Sequence, residues 1–174
     1  AVDPAAVLED AGPQTVTDWA MFDPGAPNEL QGVLGYTVSN IAVPGLFAVA
    51  PAVDTNGILT FTTADDAFGS STFDVVVQDD GGTTNGGVDT SESQTFTITV
   101  DPVNDPPAFF NAGDVTEIED GDYSAGWAAP ISPGPGNEGS QTVTFLTTVT
   151  SNSGLFTVAP AIDPGGTLTF TPVA

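Results

Sequence analysis

Apolar and polar residues alternate in several short segments of this chain, and a period of two residues predicts β-strands. The segments are residues 34–38, 59–61, 73–77, 96–100 and 143–149. Turn-forming runs rich in Asn, Asp and Gly separate them, as in Asp80-Gly81-Gly82. No segment has helical periodicity over a useful length. The pattern therefore predicts an all-β protein.

The chain repeats itself. A shift of 109 positions aligns residues 22–62 with residues 131–171 without a gap. Matching landmarks include two Pro-Gly pairs, two Asn-Glu pairs and two Leu-Phe pairs, at Pro24-Gly25 and Pro133-Gly134, Asn28-Glu29 and Asn137-Glu138, and Leu46-Phe47 and Leu155-Phe156. Trp19 and Trp127 also match, with a register drift of one residue. A period of this length is that of a domain rather than of a solenoid repeat.

About seven short strands in each hundred residues are typical of an immunoglobulin-like β-sandwich. We predict tandem antiparallel sandwiches: residues 1–107 as one copy, with a hinge at about 101–107, and residues 108–174 as a second. Ala174 aligns with Asp65, so the second copy lacks the last two or so strands. Either the sequence is a segment of a longer array, or a neighbouring chain supplies strands by β-augmentation. The opening Val2-Asp3-Pro4 resembles Asn104-Asp105-Pro106 and favours the longer array. We expect the two Trp residues to be packing residues.

Charge restricts the possible functions. The chain has 23 Asp and Glu residues but no Lys, Arg, His or Cys, which gives a net charge of −23. Such a balance is typical of disordered chains, but 40% hydrophobic residues favour packed strands. Disulfides, thiolate metal sites and lysine isopeptide crosslinks are excluded, and nucleic acid and anionic membranes would be repelled. No apolar run is long enough to span a membrane. Hard divalent cations are the natural counter-charge.

The acidic residues cluster where predicted strands end, for example at Asp65-Asp66 and Asp79-Asp80. In a sandwich the strand ends gather at two poles, so such clusters can converge. The alternative is that they are solvated turn residues, since Asp and Asn favour Asx turns.

The run from Thr95 to Pro107, ending Asp101-Pro102-Val103-Asn104-Asp105-Pro106-Pro107, resembles the end of a cadherin-like module with its D-x-N-D-x-P linker. It has one more residue between Asp101 and Asn104 than the animal pattern. The whole chain is similar to tandem repeats of giant bacterial surface and adhesin proteins. The resemblance implies Ca²⁺ ligands at the junction of the copies: Glu9 or Asp10, together with Asp65, Asp66, Asp101, Asn104 and Asp105. The Val103 carbonyl would be an additional ligand. The resemblance places Asp79 at the opposite pole, compares Glu119 with Glu9, and adds Asp120 or Asp122 from the second copy.

We therefore expect a structural protein of the extracellular space or cell surface: a Ca²⁺-stiffened tandem repeat of a fibre, stalk or adhesin spacer. Its partners would be neighbouring repeats, and other copies through strand addition or lateral assembly, without nucleic-acid binding or membrane insertion. The alternative is a cell-surface module that binds glycan or protein through exposed aromatic residues such as Phe22, Trp127 and Phe109-Phe110. Catalysis is not expected, because carboxylates alone leave few reaction types.

Overall fold

The structure is a computed structural model that describes residues 1–25, 28–119 and 121–174. These residues form β-strands and single 3₁₀ turns, and none of them lies in an α-helix. The predicted all-β class is confirmed. Within the described part of the chain no helix is long and apolar enough to cross a membrane. The chain divides into unit 1, Ala1–Val103, and unit 2, Asn104–Ala174. This boundary falls inside the predicted hinge.

Unit 1 contains two sheets. In its described residues the strands are β1 Val7–Leu8, β2 Pro13–Val16, β3 Val33–Ser39, β4 Phe47–Val53, β5 Leu59–Thr63, β6 Gly69–Asp79 and β7 Gln94–Asp101. One sheet has the order β1-β7-β6-β3 and the other has the order β2-β5-β4. Neighbouring strands are antiparallel except for β1 and β7, which pair in parallel with Val7 opposite Val100. This parallel pair departs from the purely antiparallel expectation.

The core of unit 1 takes side chains from both sheets, because alternate residues of each strand point to the same face. Trp19 is buried and its ring lies 4.7 Å from the ring of Phe96 and 6.0 Å from that of Phe73. The prediction that Trp19 is a packing residue is confirmed. Most of the buried cluster comes from β4 to β7: Phe47, Val53, Leu59, Phe61, Phe73, Val75, Phe96, Ile98 and Val100.

Strand β3 shows where simple alternation fails. The sequence predicts Leu34, Tyr36 and Val38 on one face. A register shift between Val33 and Gly35 interrupts pairing with β6 and leaves Leu34 58% exposed. Tyr36 and Val38 still pack against the core. An irregularity of one residue moves side chains to the opposite face of the sheet, so the alternation pattern alone misplaces Leu34.

Unit 2 also has two sheets, of different sizes. Its described strands are β8 Ala108–Asn111, β9 Tyr123–Gly126, β10 Ala128–Ser132, β11 Phe156–Ile162 and β12 Thr167–Pro172. The three-stranded sheet has the order β11-β12-β9, and β10 pairs with β8.

The three-stranded sheets of the two units have the same register. The pairs Phe47–Thr63, Val49–Thr62, Ala52–Thr60 and Val53–Leu59 of β4 and β5 recur 109 positions later as Phe156–Pro172, Val158–Thr171, Ala161–Thr169 and Ile162–Leu168. Both ladders have irregularities at equivalent points. The turns that join these strands also match, since Asp54 Oδ1 accepts the Ile58 N–H at 2.9 Å and Asp163 Oδ1 accepts the Thr167 N–H at 2.9 Å. The sequence repeat is therefore a structural repeat in this sheet.

The predicted strand at residues 143–149 is wrong, because these residues form no strand. Their counterpart in unit 1 is β3, which is held by its ladder with β6. No described strand of unit 2 takes the position of β6. A strand without a partner has unpaired backbone groups, so alternation alone does not produce one.

Asp74 provides a test of the β3-β6-β7 sheet. Hydrogen bonds from Thr95 Oγ1 at 2.6 Å and Asn40 Nδ2 at 2.8 Å hold the pKa of Asp74 below its usual value. Because these bonds favour the carboxylate, their stabilisation is present above the unfolded-state pKa and is lost as the pH falls through the folded-state pKa. We predict that Thr95→Val raises the pKa of Asp74, as measured by carboxyl-carbon NMR titration.

The matched control is Thr99→Val. Thr99 lies on the same strand, but its hydroxyl bonds to Ser70 rather than to Asp74. This variant should leave the Asp74 titration unchanged. An unaltered Asp74 pKa in Thr95→Val would contradict the prediction.

Candidate metal centre at one end of unit 1

Three segments of unit 1 meet at one end of its sheets. Strand β1 pairs with the end of β7, with Leu8 opposite Asp101, and the Glu9 N–H donates to the Asp101 carbonyl at 2.9 Å. The turn after β5 carries Asp65 and Asp66 to the same place. Strand pairing and the turn after β5 therefore bring together acidic residues that are far apart in the sequence.

Glu9 is the buried member of this group, with 1% of its surface exposed. Its Oε1 accepts the Val103 N–H at 2.7 Å. Burial of a carboxylate costs free energy unless polar groups compensate it. This hydrogen bond links Glu9, which follows β1, to Val103, the last residue of unit 1.

Asp10 and Asp66 lie close to each other in this group. An oxygen of each lies within 4.8 Å of the other, and Asp10 Oδ1 accepts the Asp66 N–H at 3.1 Å. Both residues have left-handed backbone, with φ of 60° and 55°. Asp tolerates this conformation better than most residues and so favours such turns. Both side chains are exposed and can present oxygen atoms to a solvent ion.

The structure does not bring all the predicted ligands together. Asp79 ends β6 at the opposite end from Gly69, which pairs with Val100, so Asp79 lies far from Glu9. Its Oδ1 accepts the Gly81 N–H at 2.7 Å. Asp65 and Asp101 are exposed beside the group, in the turn after β5 and at the end of β7.

The counterparts in unit 2 differ from Glu9. Glu119 is exposed and lies outside any strand, whereas Glu9 follows a strand that pairs with β7. No described strand of unit 2 is equivalent to β7, so the partner that positions Glu9 is missing for Glu119. Asp120 lies outside the described residues.

Unit 2 begins with the two remaining predicted ligands. The Asp105 N–H donates to Glu138 Oε1 at 2.7 Å, and Asn104 Oδ1 accepts a hydrogen bond from Gln141 Nε2 at 3.1 Å. Glu138 is only 4% exposed. Sequence reasoning did not assign it a role. The sequence feature that marks Glu138 is the Asn-Glu pair, which occurs at equivalent positions in both copies.

A glycine accompanies this glutamate in both units. A Cβ on Gly134 would collide with Glu138 Oε2, and a Cβ on Gly25 would lie 2.6 Å from Glu29 Oε2. The repeated Pro-Gly and Asn-Glu pairs therefore form one local motif, in which the glutamate folds back over the glycine.

No protein-family model matches the chain, and no curated protein matches its sequence.

We predict that Glu9→Ala lowers the free energy of unfolding of unit 1 by about 1–3 kcal/mol, because the Val103 N–H loses its acceptor. Urea denaturation would be followed by Trp19 fluorescence in a Trp127→Phe background. The matched control is Glu119→Ala, which removes the exposed counterpart and should change stability by less than about 0.5 kcal/mol. Equal effects of the two variants would contradict the assigned role of Glu9.

Proposed function

We propose that this chain is a Ca²⁺-binding, tandem β-sandwich segment of an extracellular fibre, stalk or adhesin spacer. The observation that supports the proposal most directly is the approach of Asp10 and Asp66 beside buried Glu9. They lie in a chain that has no Lys, Arg or His to neutralise them.

The donor chemistry favours calcium. The candidate ligands Glu9, Asp10 and Asp66 are all carboxylates, and hard oxygen ligands are those that Ca²⁺ prefers. Ca²⁺ also accepts six to eight ligands in irregular geometry, which suits groups that come from separate strand ends and turns. Nearby carboxylates repel one another, and a bound cation would reduce this repulsion in a chain that has no Lys, Arg or His.

Asp10 and Asp66 would hold the ion, with Glu9 as a further carboxylate. Asp65 and Asp101 are exposed at the same end of unit 1 and are proposed as additional ligands. Asn104, Asp105 and the Val103 carbonyl stay predictions from the linker resemblance, as do Asp79, Glu119 and Asp120 for other positions.

The sandwich and the cadherin-like character are part of the proposal. In unit 1, two sheets contribute to one buried cluster, which supports an immunoglobulin-like sandwich. The repeated register of the three-stranded sheets supports a tandem array. The Asp101 to Pro107 run supports a cadherin-like linker.

The proposed role is mechanical. Without cations, a hinge rich in carboxylates repels itself and bends freely. Bound Ca²⁺ neutralises this repulsion and restricts the hinge, so a chain of such units becomes stiffer. Partners would be neighbouring repeats and other copies of the chain, and no catalytic role is proposed.

A second candidate is a module that binds glycan or a protein surface. Phe110 is 71% exposed and supports this candidate. Trp19 does not, because it is buried and its ring contacts two phenylalanines.

We predict that the full chain binds Ca²⁺ with a dissociation constant of about 10⁻⁴–10⁻³ M, the range of extracellular modules. The measurement is isothermal titration calorimetry in 150 mM salt, which screens the general attraction of an acidic chain for cations. The double variant Asp10→Asn, Asp66→Asn should weaken binding at least about tenfold, because it removes the two converging charges.

The matched control is Glu92→Gln with Asp114→Asn, which removes two exposed charges elsewhere. It should change the affinity by less than about twofold. Equal loss in both double variants would show only diffuse counter-ion attraction, and absence of saturable heat in the unaltered chain would contradict the site.

We also predict that Ca²⁺ narrows the distribution of conformations of the full chain, as measured by small-angle X-ray scattering. Addition of a chelator should broaden the distance distribution again. The Asp10→Asn, Asp66→Asn chain should show no Ca²⁺ response. If it responded as strongly as the unaltered chain, the proposed site would not be the source of stiffening.

A further inference from the structure

The tripeptide Thr-Asn-Gly occurs in two connections of unit 1. Thr55-Asn56-Gly57 lies between β4 and β5, and Thr84-Asn85-Gly86 lies between β6 and β7. An asparagine before glycine is prone to attack by the next backbone nitrogen, because glycine has no Cβ to obstruct the approach and has a flexible backbone. Both asparagines are exposed. Because the flanking residues are identical, any difference in reactivity between them has to come from the fold.

The first asparagine is fixed by its turn. Asp54 Oδ1 accepts the Asn56 N–H at 2.9 Å, and Asp54 Oδ2 accepts a hydrogen bond from Asn56 Nδ2 at 3.2 Å. The Gly57 N–H donates to the Asp54 carbonyl at 2.9 Å. Gly57 is buried, and a Cβ on it would collide with the Ala20 carbonyl. The side-chain amide and the nitrogen that would attack it are therefore both held.

The second asparagine lies in a more open turn. Residues 81–88 are all exposed, and among the described residues none forms a hydrogen bond with the Asn85 side chain. The Gly87 N–H donates to the Thr84 carbonyl across this turn at 3.1 Å. A Cβ on Gly86 would meet no atom within 4 Å. Attack requires rotation about the Asn85 Cα–C bond from its ψ of 26°. That rotation disturbs the turn but no buried residue of it.

We propose that Asn85 is a site of spontaneous deamidation and isoaspartate formation, and that the fold protects Asn56 from the same reaction. The Gly86 nitrogen gives its proton to hydroxide and forms a bond to Asn85 Cγ. The Cγ–Nδ2 bond breaks, and Nδ2 takes a proton from water and leaves as ammonia. Water then opens the cyclic imide, at Cγ to give an aspartate or at the backbone carbonyl to give an isoaspartate. No oxidant or reductant is needed.

The modification changes the connection between β6 and β7 rather than the strands themselves. Either product adds a carboxylate to a connection that already carries Asp80 and Asp89. Isoaspartate also inserts a methylene into the main chain, which alters the turn. The ladder of β6 with β7 begins beyond this turn, at the pair Val75 and Gln94. The site is independent of the proposed Ca²⁺ function.

The test follows the full chain during incubation in mildly alkaline buffer. Peptide mapping by mass spectrometry measures the mass gain at each asparagine, and a methyltransferase specific for isoaspartyl groups measures isoaspartate. We expect Asn85 to convert at least about tenfold faster than Asn56, because an exposed turn opens more readily than a bonded one. In concentrated urea the two rates should agree within about threefold, since the unfolded chain removes these local contacts.

Two variants test the source of the protection. Asp54→Ala removes the carboxylate that holds Asn56, and we expect the Asn56 rate to rise at least about tenfold with the Asn85 rate unchanged. The matched control is Asp163→Ala, which removes the same carboxylate from the equivalent turn of unit 2 and should leave both rates unchanged.

Three results would overturn the proposal. The first is equal conversion of Asn56 and Asn85 in the folded chain. The second is an Asn85 that gains no mass in the folded chain but does so in urea. The third is an Asn56 rate that is the same in Asp54→Ala as in Asp163→Ala, since the assigned protection would then be absent.

Discussion

The fold of unit 1 depends on β6, which pairs with β3 on one side and with β7 on the other while burying alternate side chains against the opposite sheet. This one strand provides backbone partners for two others and supplies Phe73 and Val75 to the core. Unit 2 shows the consequence of having no such strand among its described residues. The three-stranded sheet keeps its register, but residues 142–148 lie without a ladder. In unit 1, β6 therefore provides both the backbone pairing of β3 and β7 and part of the buried core.

The second constraint is electrostatic. A chain with net charge −23 and no basic side chain cannot satisfy a buried carboxylate by an ion pair with another side chain. Glu9 and Glu138 instead accept backbone N–H groups, from Val103 and Asp105. Both donors lie at the boundary between the units in sequence, so the linker backbone is hydrogen-bonded at Val103 and at Asp105. Exposed carboxylates such as Asp10 and Asp66 have no basic side chain of this chain available to them, but they are open to water and external cations. This difference between buried and exposed carboxylates is the physical basis of the proposed calcium site.

The two copies can be compared at equivalent positions. Positions that match in sequence and in neighbours keep their structure, as the turns at Asp54 and Asp163 show. Positions that match in sequence but not in neighbours change their environment. Trp19 is enclosed by Phe73 and Phe96, whereas the ring nearest to Trp127 is Phe109, and Glu9 is buried while Glu119 is exposed. These differences accompany strands β6 and β7, which unit 1 has and the described residues of unit 2 do not.

The sequence by itself determined the all-β class, the 109-residue repeat and most strands of unit 1, because alternation and turn residues act over a few neighbours. It also indicated that acidic pairs gather at strand ends. Only the tertiary structure decided that Glu9 is buried and accepts the Val103 N–H, and that Asp10 accepts the Asp66 N–H. Likewise, Leu34 and residues 143–149 departed from their patterns through a register shift and a missing partner strand. These outcomes depend on contacts between residues far apart in the chain, which no local pattern records.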